Sequence, residues 1–242
     1  MIPLHDIVPT RERPFVTWIL IAINTFVFLI ELSFPQAELK SLFYLYGIVP
    51  ARFTHPDWAS RAGFPVGSYW PLLTSMFLHG GWMHLIGNMW SLWLFGDNVE
   101  DRMGHGKFLL FYLLSGITAS LVHIFFNASS TVPTIGASGA IAGVMGAYLV
   151  MFPTARIVTL IPVFFLPLFV EIPAIIFIGF WFLSQLFSGT FSLVAPSYGG
   201  AIAWWAHVGG FLFGAMTLPV FRKRKKKYRV YYDDEVLPRR FL

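Results

Sequence analysis

Gly136-Ala-Ser-Gly-Ala-Ile-Ala-Gly-Val-Met-Gly-Ala-Tyr-Leu-Val-Met-Phe152 is the stretch that decides how this chain is read. From Ser138 onward it carries no charge. Gly139 and Gly143 repeat at a helical interval, with Ala142 and Gly146 on a neighbouring line. Small residues at four-residue spacing let two helices approach closely where lipid rather than water surrounds them. One hydroxyl, Ser138, stands at the opening of the segment. Sixty-nine positions later His207 sits in another apolar segment, where Ala206, Gly210 and Gly214 form a matching small-residue stripe. A hydroxyl and an imidazole placed inside apolar helices are costly unless something uses them.

Composition names the solvent. The 242 residues are 56% hydrophobic and 12% charged, against roughly 25% charged in an ordinary soluble domain. A bilayer demands runs of about 20 apolar residues. Six segments meet or approach that length: Phe15–Phe34, Trp82–Phe95, Phe108–Phe126, Ser138–Phe152, Leu168–Leu186 and Ala201–Val220. The two short ones are expected to extend into flanking residues or to sit where the bilayer is thin. The expected fold is therefore all-α, a polytopic membrane protein with six transmembrane helices. Residues 1–14 form a cytoplasmic arm, 15–220 the membrane domain and 221–242 a basic cytoplasmic tail. The first apolar segment is too long for a signal-peptide core and reads as a retained helix. With no cysteine, disulfides, thiolate metal sites and a cysteine nucleophile are excluded.

Lys and Arg set the orientation. Six spans put both termini on one side with the loops after helices 2 and 4. That side holds Arg11, Arg13, Arg102, Lys107, Arg156 and nine tail residues from Arg222 to Arg240, against Lys40, Arg52 and Arg61 on the other. Both termini are thus expected in the cytoplasm, and a bacterial plasma membrane is the expected location. The run Arg222-Lys-Arg-Lys-Lys-Lys227 lies directly after the last span. There it reads as an anchor for anionic lipid headgroups, a membrane-lipid contact rather than a nucleic-acid site.

The connection at about 35–81 is the longest, rich in Pro, Trp and Tyr, and is expected at the outer interface. Pro162, Pro167 and Pro173 cut the stretch 157–186, so its first part is expected along the inner interface, with Glu171 there. Helices 2, 4 and 6 all descend from the outer face. Each carries polar groups near its top: His84 and Asn88, Ser138, and His207. His84 and Asn88, four apart, share one helical face. Serine with histidine is the minimal nucleophile and base pair for acyl transfer. The unpaired N–H groups at the start of the Ser138 helix, with the two side chains, could hold a developing oxyanion. Gly136 lets backbone approach closely there. His79 is expected to bond loop backbone, and His105 and His123 are read as incidental.

These motifs resemble those of the rhomboid intramembrane serine proteases. Gly136-Ala137-Ser138-Gly139 matches the family's GxSG, His84-Leu85-Ile86-Gly87-Asn88 its HxxxN, and Ala206-His207-Val208-Gly209-Gly210 with Gly214 its base helix. Glu100-Asp101-Arg102-Met103-Gly104 resembles its cytoplasmic turn, and Tyr69-Trp70 the start of its outer-loop WR motif. The resemblance runs from helix 1 through helix 6. It implies a serine endopeptidase that cuts transmembrane protein substrates near the outer face. Ser138 would be the nucleophile and His207 the general base. The Ser138 backbone N–H, His84 and Asn88 would hold the oxyanion, with Gly136, Gly139, Gly210 and Gly214 in support. No cofactor and no metal are implied. Pro71 stands where the WR arginine would be, and Ala142 replaces an aromatic that packs on the histidine in some members. His207 is then expected to lean on nearby tryptophans, in a dyad without an orienting acid.

Rival readings fit less of the chain. A transporter would show broken helices in matching halves, and a metal-dependent membrane protease a HExxH helix. The sequence has no HExxH. An inactive relative would have lost Ser138 or His207.

Overall fold

Six helices of 14 residues or more carry the fold in the computed structural model, which describes residues 2–65, 67–163, 166–194 and 203–223. They are α1 (Phe15–Glu31), α2 (Trp82–Met103), α3 (His105–Phe126), α4 (Ser138–Met151), α5 (Ala174–Val194) and α6 (Trp204–Phe221). Two of them, α3 and α5, are long and apolar enough by themselves to cross a membrane; α1 and α4 are apolar but shorter. In α2 the polar residues His84, Asn88, Asp97 and Asn98 dilute the apolar stretch. The expected basic tail lies outside the described residues beyond Lys223.

α4 is the central helix. Every residue from Gly139 to Tyr148 is buried, as an all-round apolar helix must be in a bundle core. It packs on α6 with backbones almost touching. A Cβ at Gly210 would land on the Gly139 carbonyl oxygen, and one at Gly214 on that of Gly143. The small-residue stripes therefore set how near α6 stands to α4.

α1 begins after Pro14 with no cap from its own side chains. Glu100, at the far end of α2 and 1% exposed, supplies it. Its carboxylate accepts the N–H groups of Val16 (2.9 Å) and Thr17 (2.8 Å), the Thr17 hydroxyl (2.7 Å) and a bond from His105 Nδ1 (2.6 Å). A carboxylate at a helix N-terminus satisfies orphan donors and faces the favourable end of the dipole. His105, read as incidental, is thus part of this cap.

Between α1 and α2 the long connection is folded, with short helices at Gln36–Tyr46, Pro50–Thr54, Pro56–Arg61 and Pro71–Thr74. It is stitched to the α3–α4 connection by Ile48 and Thr134, which exchange backbone hydrogen bonds of 2.9 and 2.7 Å. Arg52 is buried, donates to the Leu45 carbonyl at 2.9 Å and lies against Phe53 and Phe64.

The all-α expectation needs correction. β1 (Ile2–Asp6), β2 (Arg156–Val163) and β3 (Leu166–Pro173) form an antiparallel sheet in the order β1-β2-β3. Ile2 pairs with Leu160, Asp6 with Ile157, and Arg156 with Pro173. The expected helix from Leu168 starts instead at Ala174, and residues 166–173 are strand. Pro167 and Pro173 would each remove a helix hydrogen bond, whereas as strand residues Pro162 and Pro167 face each other across β2 and β3. Residues 2–6 of the expected arm are an edge strand docked on the bundle. Trp90 Nε1 donates to the Pro3 carbonyl at 2.6 Å, and Asp6 accepts from Asn98 (3.0 Å) and from the Tyr148 hydroxyl. Glu171 pairs with Arg156 at 2.8 Å on the exposed side of the sheet.

Candidate active site

Ser138 is the first residue of α4, so its backbone N–H has no intrahelical acceptor. Its hydroxyl does not cap the helix. Ser138 Oγ lies 2.8 Å from His207 Nε2. His207 is the fourth residue of α6, buried, and held at that distance by the tight α4–α6 contact.

Gly136, two residues earlier, has φ +123°, a conformation that L side chains avoid. A Cβ there would stand 2.6 Å from His84 Nε2 and 3.5 Å from Asn88 Nδ2. Both α2 side chains therefore reach the backbone of the Ser138 turn. Gly80 N–H donates to His84 Nδ1 at 3.4 Å. With Nδ1 accepting, the ring proton rests on Nε2, the nitrogen that faces Gly136.

His79 is buried beside the site. Its Nε2 accepts from Asn88 Nδ2 at 3.0 Å, while its backbone N–H donates to the Glu31 carboxylate at 3.2–3.3 Å. Burial, with His84 nearby, lowers the His79 pKa to about 4 and keeps the ring a neutral acceptor. His123 is likewise not incidental. It bonds Thr134 Oγ1 at 2.9 Å and, with Ser75, Ser120 and Ser138, lines a small cavity of about 30 Å3 behind the serine. That is room for one water with polar partners.

A larger cavity of about 790 Å3 opens between α2 and α5. Ser138, His207, His84 and Asn88 share it; Trp181 and Phe177 of α5 line its far side, and Pro3 of β1 also reaches it. Two tryptophan rings stand near His207. The Trp181 ring is 5.8 Å from the His207 ring, and Trp204 stands edge-on at 6.4 Å.

Sequence reasoning missed Gln185. This buried amide of α5 places Oε1 2.8 Å from His207 Nδ1, so the second ring nitrogen has a side-chain partner. The signal was available: Gln185 is the one amide in an otherwise apolar or hydroxyl-bearing helix, and polar groups in such helices mark sites.

A glycine-tight pair of helices, one end where a serine meets a histidine, and a folded connection between α1 and α2 come together in this chain. The Rhomboid domain family model matches residues 66–224, and the chain belongs to the rhomboid family, whose members are integral membrane proteins. Among its relatives, the rhomboid protease GluP of Bacillus subtilis (strain 168) is 48% identical over 83 residues, 34% of this chain and 16% of that protein. The putative rhomboid protease YdcA of the same organism is 38% identical over 89 residues, 37% of this chain and 44% of the relative. The mitochondrial presenilin-associated rhomboid-like protein A of Danio rerio is 28% identical over 177 residues, 67% of this chain and 42% of the relative. The chain spans less than half the length of each of these relatives.

Proposed function

We propose that this chain is an intramembrane serine endopeptidase that cuts transmembrane protein substrates near the outer face of the membrane. The observation that carries the reading is the 2.8 Å contact between Ser138 Oγ and His207 Nε2 inside a cavity walled by α2 and α5. His207 Nε2 takes the Ser138 proton as Oγ attacks the scissile carbonyl carbon. The oxyanion is held by the Ser138 N–H, His84 Nε2–H and Asn88 Nδ2. Collapse breaks the C–N bond, the proton on Nε2 passes to the departing amine, and an acyl-enzyme remains. Water then attacks the ester, giving its proton to His207, and Ser138 is regenerated as that proton returns to Oγ. The small polar cavity beside Ser138 can keep such a water within reach. A substrate must offer an extended peptide bond to Ser138, which favours helix-destabilising residues at its outer membrane end.

Six spans, with 15–220 as the membrane domain and both termini cytoplasmic, complete the proposal. The bias of Lys and Arg toward one side supports this topology. The residues from Arg222 onward then meet anionic lipid, and a bacterial plasma membrane suits the resemblance to GluP and YdcA.

The test is cleavage of a model transmembrane substrate by purified full-length protein in detergent. Activity is expected in the wild type, lost in Ser138→Ala and His207→Ala while both stay folded, and indifferent to chelators. Full activity in Ser138→Ala, or loss with a chelator alone, overturns the dyad. Reporters fused after Lys227 should read cytoplasmic and reporters within residues 35–81 external.

A further inference from the structure

We infer that Gln185 is a positioning residue that locks His207 in the tautomer with its proton on Nδ1, leaving the Nε2 lone pair for Ser138. The inference rests on the Ser138–His207 reading and adds to it a third side chain, carried on a different helix.

The direction of the Gln185 amide follows from its neighbours. Ser184 Oγ bonds the Trp181 carbonyl at 2.6 Å, and in that arrangement it offers Gln185 a lone pair. Gln185 Nε2 lies 2.9 Å from that oxygen and 3.2 Å from the Trp181 carbonyl oxygen, and both of these are acceptors. The amide must therefore turn its NH2 toward them. A flipped amide would set Oε1 against the Trp181 carbonyl oxygen, lone pair to lone pair. With the NH2 group committed, Oε1 is what faces His207 Nδ1 at 2.8 Å.

An oxygen that only accepts requires a proton on the nitrogen opposite. In the other tautomer, Nδ1 and Oε1 would face each other lone pair to lone pair, and the Nε2 proton would point at Ser138 Oγ. That ring cannot take the serine proton. In the Nδ1–H tautomer Nε2 accepts it, and the resulting imidazolium keeps both donors satisfied, one by Gln185 and one by the serine oxygen. No proton reaches Gln185 at any stage. Orientation of the ring and choice of tautomer are what the acid of a serine-protease triad supplies, and here a neutral amide supplies them. The placement is enclosed. Gln185 is 6% exposed, and Trp181, one turn earlier on the same face, lies against the same imidazole.

Two variants and one spectrum test this on the full chain in detergent. Gln185→Met keeps length and bulk but removes the acceptor. Its kcat should fall about 10- to 100-fold, the factor that corresponds to leaving one buried donor unpaired, while KM for a transmembrane peptide stays within about 2-fold. Gln185→Glu restores an acceptor and should recover most of the lost kcat. In histidine-15N-labelled wild-type protein, the His207 signals, assigned by their absence in His207→Ala, should report a protonated Nδ1 and an unprotonated Nε2. In Gln185→Met they should move toward a mixture of tautomers. A wild-type spectrum with the proton on Nε2 overturns the inference whatever the variants do. So does wild-type kcat in a folded Gln185→Met, or a folded Gln185→Glu as slow as the methionine variant. In each case an inactive Ser138→Ala leaves the protease reading intact, whereas an active Ser138→Ala removes that reading itself.

Discussion

Replacing Gly136 with alanine should separate the geometry of the site from the stability of the fold. Gly136 holds φ +123° with its N–H bonded to the Ser75 carbonyl at 2.8 Å, so the turn cannot simply relax. Forcing an L residue into that region costs about 1–3 kcal/mol. For a domain of this size that is a fall of roughly 2–12 °C in melting temperature. The new methyl would also stand 2.6 Å from His84 Nε2 and 2.7 Å from its Cε1. Unbonded heavy atoms settle near 3.5–4.0 Å, so the ring must retreat by about 1 Å. A misplacement of about 1 Å at a reacting centre can cost about 100-fold in rate. Cleavage and melting should therefore part company: kcat falls about 100-fold in a protein that still folds. A double variant, Gly136→Ala with His84→Ala, has lost the ring that the methyl meets. It should be less damaged than the sum of its parts, because the two sites are in contact. Wild-type kcat in Gly136→Ala, or strict additivity in the double variant, would refute the claim that this glycine exists to admit His84.

Other outcomes follow from the same contacts. Asn88→Ala should lower kcat by up to about 100- to 1000-fold, as loss of one oxyanion donor does elsewhere, and slow labelling of Ser138 by a fluorophosphonate; early melting with normal labelling would mean packing alone. Glu100→Gln should destabilise the fold by about 1.5–3 kcal/mol, the worth of a hydrogen bond to a charged group, read as a lower melting temperature with KM unchanged. Burial raises the Asp6 carboxyl above its usual value, so the folded state holds that proton more tightly than the unfolded chain. This group therefore adds stability as pH falls through its folded pKa and withdraws it above. Asp6→Asn should remove that component from a plot of melting temperature against pH, and an unchanged plot would show that Asp6 does not titrate in this way.

Much of the site was legible because its residues break the pattern around them. Ser138, His207, His84 and Asn88 are polar groups in apolar helices, and their common end follows from counting spans. The glycine stripes were legible too, since backbone contact between membrane helices leaves a four-residue trace. The sheet was not. Residues 157–173 are apolar but for Thr159 and Glu171, and such a run reads alike as buried strand or helix, with little besides its prolines to separate the two. The docking of residues 2–6 was beyond reach because its partners, Trp90, Asn98 and Tyr148, lie 85 or more positions away. Gln185 went unremarked because no spacing rule ties it to His207; the two meet only once α5 is laid against α6. His123 was passed over for the same reason, its link to the site running through Thr134 in a loop.

The central claim is that His207 makes Ser138 a nucleophile. Intact-mass measurement after treatment with a fluorophosphonate, followed by peptide mapping, tests it most directly. One adduct on Ser138 is predicted in the wild type, none in Ser138→Ala, and a large loss of labelling rate in a folded His207→Ala. An adduct on another residue, or Ser138 labelling at the wild-type rate without His207, would contradict the account.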